Sequence, residues 1–367
     1  MLPLPNKIKY YAVGARYLAH KALFAAKNAS GAAKISPPSL KEKPPKIKKV
    51  LLCMNRHDYG KKEWGDSLEY LILYPPIKKL VQAEFFDYRE FEKTHGRAKL
   101  NGHLLSIAKK GEFDLMLFSL MVDDFDKKTI TQISASTPTT AANWFSDDQW
   151  RFESFSSKWA DAFNFVTTTD RSAVQKYSSL GYPYALRTQW AAYPPRFTPD
   201  SKFGSDMDIS FVGQKYGNRP ALLKAIGKKG IKVSAFGPGW KGGRLEYQQM
   251  VNVLANSKIT ICPSESSVLF APPQMKARFF EVPACGGFQL AGFVDELSDY
   301  FTPDKEIIMY KNTKELVENA EYFLENEGER KKIAKAAHER TMREHTYERR
   351  FEAIFSQMEK IIQSEKK

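Results

Sequence analysis

Residues 208–220, with the sequence DISFVGQKYGNRP, decide the fold that we predict for the C-terminal half of this chain. The apolar run that ends at Val212 predicts a buried strand, and Gly213 opens the loop that follows it. Asn218 and Pro220 predict the start of a helix, because asparagine is favoured at the N-cap and proline in the first turn. A strand, a glycine loop and a helix start in this order are typical of a ligand-binding turn in a parallel α/β sheet.

Two cations accompany this loop. Lys215 lies inside it and Arg219 at the predicted helix start. The N-terminus of a helix already attracts anions through its free amides and its dipole. A charge-assisted hydrogen bond adds about 1.5–3 kcal/mol. The loop therefore predicts a diphosphate site at Gly213, Lys215 and Arg219, whereas an ordinary turn with two solvated cations stays open as the alternative.

Strands and helices alternate on both sides of this stretch. After it, the sequence predicts strands at IKVSAFG, KITICPS, FQLAG and EIIMY, then a long helical end. Before it, strands are predicted at KKVLLCMN, AEFFDY, FDLMLFSLM, TAANWFSDD, FNFVTTTD and YPYALRTQWA, and a helix at SLEYLILYPPIKKLVQ. Such alternation indicates an α/β fold with parallel sheets, and a Pro-rich break at residues 194–205 separates two of them.

These patterns divide the chain into four segments. Residues 1–46 are predicted to form a basic N-terminal arm and linker, and residues 47–200 an N-terminal α/β domain. Residues 201–340 are predicted to form a C-terminal α/β domain, followed by a helix over residues 341–367. A length of 367 residues suits two domains of ordinary size.

The positive charge is concentrated in the basic arm. The net charge is +14, and residues 1–49 hold eleven Lys or Arg against one Glu, which leaves about +4 for the rest. No nucleic-acid partner is therefore predicted for the body of the protein. The stretch IKYYAVGARYLAHKALFAAK has the spacing of an amphipathic basic helix, which predicts peripheral membrane contact through residues 1–35. Packing of this helix on its own protein, or disorder, stays open.

The remaining composition favours a cytoplasmic protein without a metal. Cys53, Cys262 and Cys285 lie in apolar stretches and are expected to be buried and unpaired. The chain shows neither a membrane-spanning run nor a secretory signal, so we expect a cytoplasmic location, including the inner face of the membrane. The acidic loop VDDFD at residues 122–126 imitates a metal site, but acidic surface loops are common, and no metal is predicted.

Two further motifs are predicted to lie on the sheet edge that carries Gly213. FGPGW follows a strand directly and brings Gly237 to that edge. QMKARFFEVPACGG predicts a helix that ends at Cys285 with Gly286 at its C-cap. Arg278 and Glu281 lie three residues apart on this helix and share a face, either as an ion pair or as ligand contacts.

The N-terminal half offers two loops for an acceptor. In RHDYG, His57 or Asp58 is a candidate general base, because imidazole titrates near neutral pH. In WFSDDQW, Asp147 and Asp148 lie between tryptophans, a combination that suits a sugar. A polar surface loop and a helix N-terminus that attracts acids are the respective alternatives.

These motifs together resemble a known family. The ordered run DISFVGQKYGNR, FGPGW, YQQMVNVLANSKITICPS, KARFFEVPACGGFQL and EHTYERR resembles the group 1 glycosyltransferases, and in particular their CgeB-like branch. NWFSDDQWRFESF and FNFVTTTD are similar to the same branch. The resemblance implies a GT-B fold with two Rossmann-like domains, an interdomain cleft and a C-terminal helix that packs back on the first domain. It also implies a nucleoside-diphosphate sugar donor and no obligatory metal.

The resemblance also implies roles for individual residues. Glu281 matches the glutamate that binds the donor ribose, and Lys215 or Arg219 matches the basic group near the diphosphate. Gly286 and Gly287 match a turn that brings backbone amides towards the donor, which completes the predicted donor-binding set: Gly213, Lys215, Arg219, Gly237, Arg278, Glu281, Gly286 and Gly287. One departure is Pro273, which occupies the position of a second, sugar-contacting glutamate. Glu265 lies too far upstream in the sequence to replace it.

The function predicted from these residues is a metal-independent hexosyltransferase of glycan biosynthesis. Its donor is expected to be linked to UDP or GDP, with no further cofactor, and its acceptor to be a glycan, a lipid or lipid-linked molecule, or a protein. The candidate catalytic residues are His57, Asp147 and Asp148. A nucleotide-sugar epimerase and a non-catalytic sugar-binding protein on the same fold are the alternatives.

Overall fold

The computed structural model describes residues 6–31, 34–200 and 207–367, with side chains from residue 11 onwards. Within these ranges the chain forms two sheets with helices around them. Every helix in the described ranges is either too short or too polar to cross a membrane.

The first sheet has six parallel strands in the order β2-β1-β3-β4-β5-β6. Strands β1 and β3 to β5 consist almost wholly of buried residues, as expected for a sheet covered on both faces. The strands are β1 Lys49–Met54, β2 Gln82–Asp87, β3 Leu115–Phe118, β4 Thr140–Phe145, β5 Phe165–Thr168 and β6 Ala185–Arg187.

The second sheet has five parallel strands in the order β11-β10-β9-β7-β8. Both sheets match the fold class predicted from the alternating pattern, which is therefore confirmed as α/β with two parallel sheets. The strands are β7 Ile209–Val212, β8 Val233–Phe236, β9 Ile259–Cys262, β10 Gln289–Gly292 and β11 Ile308–Tyr310.

Helices connect the strands in the manner of parallel α/β proteins. Those before β7 are α1 Asn6–Ala29, α2 Tyr74–Leu80, α3 Tyr88–His95, α4 Arg97–Lys110, α5 Lys127–Ser136, α6 Asp148–Arg151, α7 Ser157–Trp159 and α8 Arg171–Ser179. Those after β7 are α9 Arg219–Gly227, α10 Tyr247–Asn256, α11 Arg278–Ala284, α12 Thr313–Glu325, α13 Glu327–Glu344 and α14 Tyr347–Glu365.

The contacts divide the chain into two units. One unit holds Arg16–Gln189 together with Tyr347–Lys367, and the other is built on Trp190–Thr346. The helical C-terminus, predicted as one segment from residue 341, is divided at His345, whose ring lies against the carbonyl of Tyr300 with Nε2 at 2.7 Å. Helix α14 therefore belongs to the unit of the first sheet, where Phe351 packs on Trp144 with ring centroids 5.7 Å apart.

Each sheet has a switch point, which is the place where the direction of strand addition reverses. In the first sheet β2 and β3 lie on opposite sides of β1, and in the second sheet β8 and β9 lie on opposite sides of β7. The loops that leave the carboxyl ends of β1 and β3, and those that leave β7 and β9, therefore diverge and open a crevice. Ligands of parallel α/β sheets bind in such crevices.

The predicted linker is packed rather than extended. Leu40, Lys43 and Ile47 are almost completely buried in the unit of the first sheet. The Lys43 ammonium donates to the carbonyls of Thr137 and Thr139 at 2.7 and 2.8 Å, just beyond the C-terminus of α5. Burial lowers the pKa of Lys43 to about 8. A lysine that satisfies carbonyls at a helix end holds this segment on the domain.

Two predicted helices are shorter than expected. The run SLEYLILYPPIKKLVQ forms a π-helical turn over Glu69–Leu73 before α2, which contains two prolines in its first turn. Proline lacks the amide that an α-helix requires, so the hydrogen-bond register changes before it. The helix predicted from Gln274 begins only at Arg278, because the preceding residues close a loop after β9.

Candidate functional site

The loop after β7 is supported by the FGPGW motif. The Trp240 indole donates to the carbonyl of Gly213 at 2.8 Å and packs edge-on against Phe211. Gly237 has a φ of +117°, and a Cβ atom there would lie 2.4 Å from the Gly213 carbonyl oxygen. Gly237, which was predicted to bind the donor, thus contacts the loop after β7. Only a glycine permits the backbone to come this close to the Gly213 carbonyl.

Lys215 is the exposed cation of this loop. Its amide donates to the carbonyl of Pro238 at 2.9 Å, and its ammonium lies 5.2 Å from the centre of the Trp240 ring. No carboxylate among the described residues forms an ion pair with it. The side chain can therefore meet an anion at the crevice without breaking an existing ion pair.

Arg219 is enclosed by the loop that it follows. Its Nη1 donates to the carbonyl of Gln214 at 2.8 Å, and its guanidinium stacks 3.7 Å from the centre of the Tyr216 ring. The side chain is almost buried, and burial lowers the pKa of its guanidinium. The enclosure argues for a supporting role, because most of the group is withdrawn from the crevice in which the sequence predicted a phosphate contact.

Glu265 is a candidate site residue, although its spacing in the sequence had excluded it. The loop after β9 closes on itself through the Gln274 amide, which donates to the Ser264 carbonyl at 2.9 Å. This closure brings Glu265 to the β7 loop, where Oε1 accepts from Asn218 Nδ2 at 2.7 Å. Oε2 is shielded from solvent and has no hydrogen-bond partner. Nothing in the sequence signals this approach, since it depends on the closed path of the loop.

Arg278 and Glu281 form an ion pair along α11. Arg278 Nη1 lies 2.7 Å from Glu281 Oε2, as their shared helix face predicted, and also 3.1 Å from the sulfur of Met250. The Glu281 side chain is only 6% exposed, and that of Arg278 is 21% exposed. A carboxylate this deeply buried is held in one orientation by its arginine.

Tyr247 is a second residue that the sequence did not reveal. It is the first residue of α10, which begins with a capping box between Glu246 and Gln249. Its hydroxyl is shielded from solvent and has no hydrogen-bond partner. Burial, followed by the Glu281 charge, raises the pKa of Tyr247. The hydroxyl is therefore protonated at neutral pH and lies within the electrostatic reach of Glu281.

The glycine pair after α11 does not present amides to a ligand. Gly286 has a φ of +76°, and its amide donates to the Pro283 carbonyl at 2.9 Å. The Gly287 amide donates to the Val282 carbonyl at 3.0 Å. This is the Schellman ending of a helix, which uses both amides internally. The prediction that Gly286 and Gly287 direct amides towards the donor is therefore wrong. The helix ends at Ala284 with Cys285 as its C-cap, so Gly286, which was predicted at the C-cap, lies one residue beyond it.

The acidic loop after β3 is occupied by protein partners. Asp123 accepts from the Trp159 indole at 3.0 Å, and Asp126 pairs with Arg97 at 2.9 Å. Asp124 is buried and forms an ion pair with Arg89. No three acidic, histidine or cysteine side chains in the described part of the chain gather closely enough to hold a metal ion.

His57 lies at the switch point of the first sheet, just after β1. Its Nδ1 is 3.5 Å from Asp66 Oδ1, and the two residues form an isolated backbone bridge. The ring is 21% exposed. Asp66, which sequence reasoning did not single out, therefore lies beside the imidazole, although Nδ1 is shielded from solvent and has no hydrogen-bond partner. The neighbouring Asp58 begins a short helical turn and is partly buried.

Asp148 and Trp144 are unavailable to an acceptor. The Asp148 side chain is completely buried and accepts from the Tyr177 hydroxyl at 3.1 Å. Trp144 points to the face of the sheet that α14 covers, and its ring packs against Tyr347 and Phe351 of that helix. The catalytic role predicted for Asp148 is therefore not supported. Asp147, at the N-cap of α6, is partly exposed, and its predicted role stays a prediction.

Part of the C-terminal half is similar in sequence to a known family. Residues 219–356 match a family model described as glycosyl transferase-like, which covers less than half of the chain. This segment includes Arg278, Glu281 and Glu265. A search of curated proteins by sequence finds no match.

Solved structures share the arrangement of elements along most of the chain. Sucrose-phosphate synthase from Thermosynechococcus elongatus has a TM-score of 0.58 at 9% identity, over 86% of this chain and 98% of that chain. HepE from Anabaena, solved with UDP-glucose, has a TM-score of 0.59 at 10% identity, over 87% and 100%. A glycosyltransferase from Rickettsia africae has a TM-score of 0.56 at 11% identity, over 87% and 98%. At these identities the likeness shows the fold, and the chain has the GT-B fold.

Proposed function

We propose that this protein is a glycosyltransferase that moves a sugar from a nucleoside-diphosphate donor to an acceptor. The observation that carries the proposal is the Arg278–Glu281 ion pair with its buried carboxylate, which lies inside the segment that matches the glycosyl transferase-like model. Arg278 holds Oε2 of the carboxylate and leaves Oε1 to accept a hydroxyl. Recognition of a ribose needs such an acceptor in a set direction.

The donor groups divide among the loops of the second sheet. Lys215 and the N-terminus of α9 supply positive charge for the diphosphate, and the departing diphosphate gains most from charge placed there in advance. Because these groups are cationic, the proposed transfer needs no metal. Glu281 accepts from the ribose, and Glu265 accepts from a hydroxyl of the sugar in place of the carboxylate that Pro273 excludes.

The donor is proposed to be a UDP- or GDP-linked hexose, with no other cofactor. HepE, one of the similar structures, was solved with UDP-glucose, which makes UDP the first base to test. The acceptor is proposed to be a glycan, a lipid or a protein. His57 is proposed as the base that takes the acceptor proton, because its imidazole is partly exposed just after β1 and lies 3.5 Å from Asp66 Oδ1.

The proposed location is the cytoplasm, with peripheral contact at the inner face of the membrane through residues 1–35. Supporting this, α1 presents exposed apolar side chains among its basic residues. Tyr11, Leu18 and Leu23 are 61%, 46% and 56% exposed. An amphipathic basic helix with such side chains is typical of attachment to anionic bilayers.

The test is nucleotide binding by wild-type protein and Glu281→Gln, measured by calorimetry with UDP, GDP and their glucose conjugates. We expect one nucleotide to bind wild type. Affinity should fall roughly 10- to 100-fold in Glu281→Gln, because a charge-assisted hydrogen bond contributes about 1.5–3 kcal/mol. Glu318→Gln is the matched control, since Glu318 also pairs with a lysine of its own helix but is exposed.

Two outcomes would contradict this proposal. Unchanged affinity in Glu281→Gln, with melting temperatures of both variants near that of wild type, would remove Glu281 from the site. If no nucleotide binds the wild-type protein, the proposal of a nucleoside-diphosphate sugar donor is wrong. Consumption of the donor without nucleotide release would instead indicate an epimerase.

A further inference from the structure

A cavity of about 400 Å³ lies within the unit of the first sheet, between the second half of α1 and the rest of that unit. Its floor is apolar and consists of Phe24, Ile35 and Leu180. Phe24 packs edge-on against Phe152 with ring centroids 5.5 Å apart, and the Ile35 amide donates to the Leu180 carbonyl at 2.8 Å. The floor is therefore held by side-chain packing and by a backbone hydrogen bond from the linker that follows α1.

The wall of the cavity carries more positive than negative charge. Four lysines and two acids line it: Lys27, Lys34, Lys127, Lys158, Glu153 and Asp161. Both acids already have cationic partners. Asp161 pairs with Lys127 at 2.6 Å, and Glu153 pairs with Lys176 at 3.2 Å.

Three of the lysines keep donors for a ligand. Lys34 donates to the Ser179 carbonyl at 3.0 Å, which uses one of its three N–H groups. Neither Lys27 nor Lys158 forms an ion pair with any described residue. An anion that enters the cavity therefore meets three ammonium groups, from Lys27 on α1, Lys34 in the linker and Lys158 on α7.

The rim distinguishes among the anions that this wall would accept. Leu23 lines the cavity and is 56% exposed. A free phosphate would leave this side chain and the apolar floor in water. A phosphate that carries acyl chains would cover them, because basic residues bind its headgroup while apolar ones enter the lipid.

We propose that this cavity binds the headgroup phosphate of an anionic membrane phospholipid. Lys27, Lys34 and Lys158 surround the phosphate, and Leu23 enters the acyl boundary. The site is separate from the donor site and does not depend on the proposed transfer. It turns a general attraction of the basic arm to anionic surfaces into one defined lipid position.

The test is cosedimentation of the full chain with vesicles of phosphatidylcholine, with and without phosphatidylglycerol. The pocket variant is Lys27→Glu with Lys158→Glu. The matched control is Lys21→Glu with Lys128→Glu, which changes the charge equally on α1 and on the domain at exposed lysines outside the cavity. We expect the pocket variant to lose on the order of tenfold more affinity for phosphatidylglycerol vesicles than the control.

A second arm separates a lipid from a free phosphate. Leu23→Asn should weaken vesicle binding while leaving any affinity for glycerol phosphate unchanged, because it alters only the apolar rim. Equal losses in pocket and control variants would overturn the proposal in favour of unspecific charge attraction. Tight binding of glycerol phosphate with no vesicle binding would also overturn it. UDP binding should be the same in all these variants, so failure here is distinct from failure of the donor site.

Discussion

Glu265 shows how a single side chain acquires a role that its place in the sequence hides. Its Oε1 is held by Asn218 at 2.7 Å, whereas its shielded Oε2 has no hydrogen-bond partner. A buried acceptor without a partner costs free energy, of the order of 1–3 kcal/mol. A donor hydroxyl that reaches Oε2 would recover that free energy. The carboxylate is thus suited to receive a sugar.

The variant Glu265→Gln tests this assignment. The glutamine oxygen can still accept from Asn218, so the loop keeps its contact, but the second position becomes a donor instead of an acceptor. We expect affinity for UDP-glucose to fall roughly 5- to 30-fold and affinity for UDP to stay unchanged, measured by calorimetry. Equal losses for both ligands would show that Glu265 supports the loop and does not contact the sugar.

Asp148 is a buried carboxylate whose environment opposes its charge. Burial raises the pKa of Asp148 to about 6, above its ordinary value of 3.8, although the Tyr177 hydroxyl donates to it. The folded state therefore holds the proton more tightly than the unfolded state. Its contribution to stability is present at low pH and is lost as the pH rises from about 4 to about 6.

Asp148→Asn should remove this dependence. Relative to wild type, the free energy of unfolding of the variant should increase by up to about 3 kcal/mol between pH 4 and pH 7, since asparagine does not ionise. Urea unfolding at several pH values measures this difference in the free energy of unfolding. Glu318→Gln, at an exposed position, is the control. A difference that stays constant with pH would show that the pKa of Asp148 is not raised. A difference that falls would show that it is lowered.

The FGPGW element illustrates how one turn shapes another. Gly237 must accept a φ of +117° and also lie against the Gly213 carbonyl. Trp240 then donates to that same carbonyl. The predicted donor edge is therefore built from two layers of turns, in which the FGPGW turn holds the β7 loop in place.

Gly237→Ala should displace the β7 loop. The added Cβ would lie 2.4 Å from the Gly213 oxygen, so the loop has to move in addition to the strain of a positive φ. We expect a loss of about 2–4 kcal/mol in the free energy of unfolding and weaker nucleotide binding. Gly230→Ala is the control, because its φ is +80° and a Cβ there meets nothing within 4 Å. Equal losses in both variants would show that only backbone strain matters.

Across the chain, the predicted architecture agrees with the structure because it rests on local patterns. Buried parallel strands appear as apolar runs, and glycine, proline and asparagine mark where they end. The strand predicted at FDLMLFSLM and the helix start at Asn218 and Pro220 are both present. The Arg278–Glu281 contact was likewise accessible, since three residues separate the pair on one helix face.

Contacts between distant segments were not accessible in this way. Local sequence patterns were enough to predict two parallel α/β sheets and the order of the predicted donor motifs. They were enough because strand burial and helix starts depend on neighbouring residues. The folded chain alone placed Glu265 beside Asn218 and Asp66 beside His57, and enclosed Asp148 and Arg219. It also directed the amides of Gly286 and Gly287 inward. The physical reason is that burial and hydrogen-bond partners depend on which surfaces come into contact after the sheets form. The local spacing of residues in the sequence does not determine those long-range contacts.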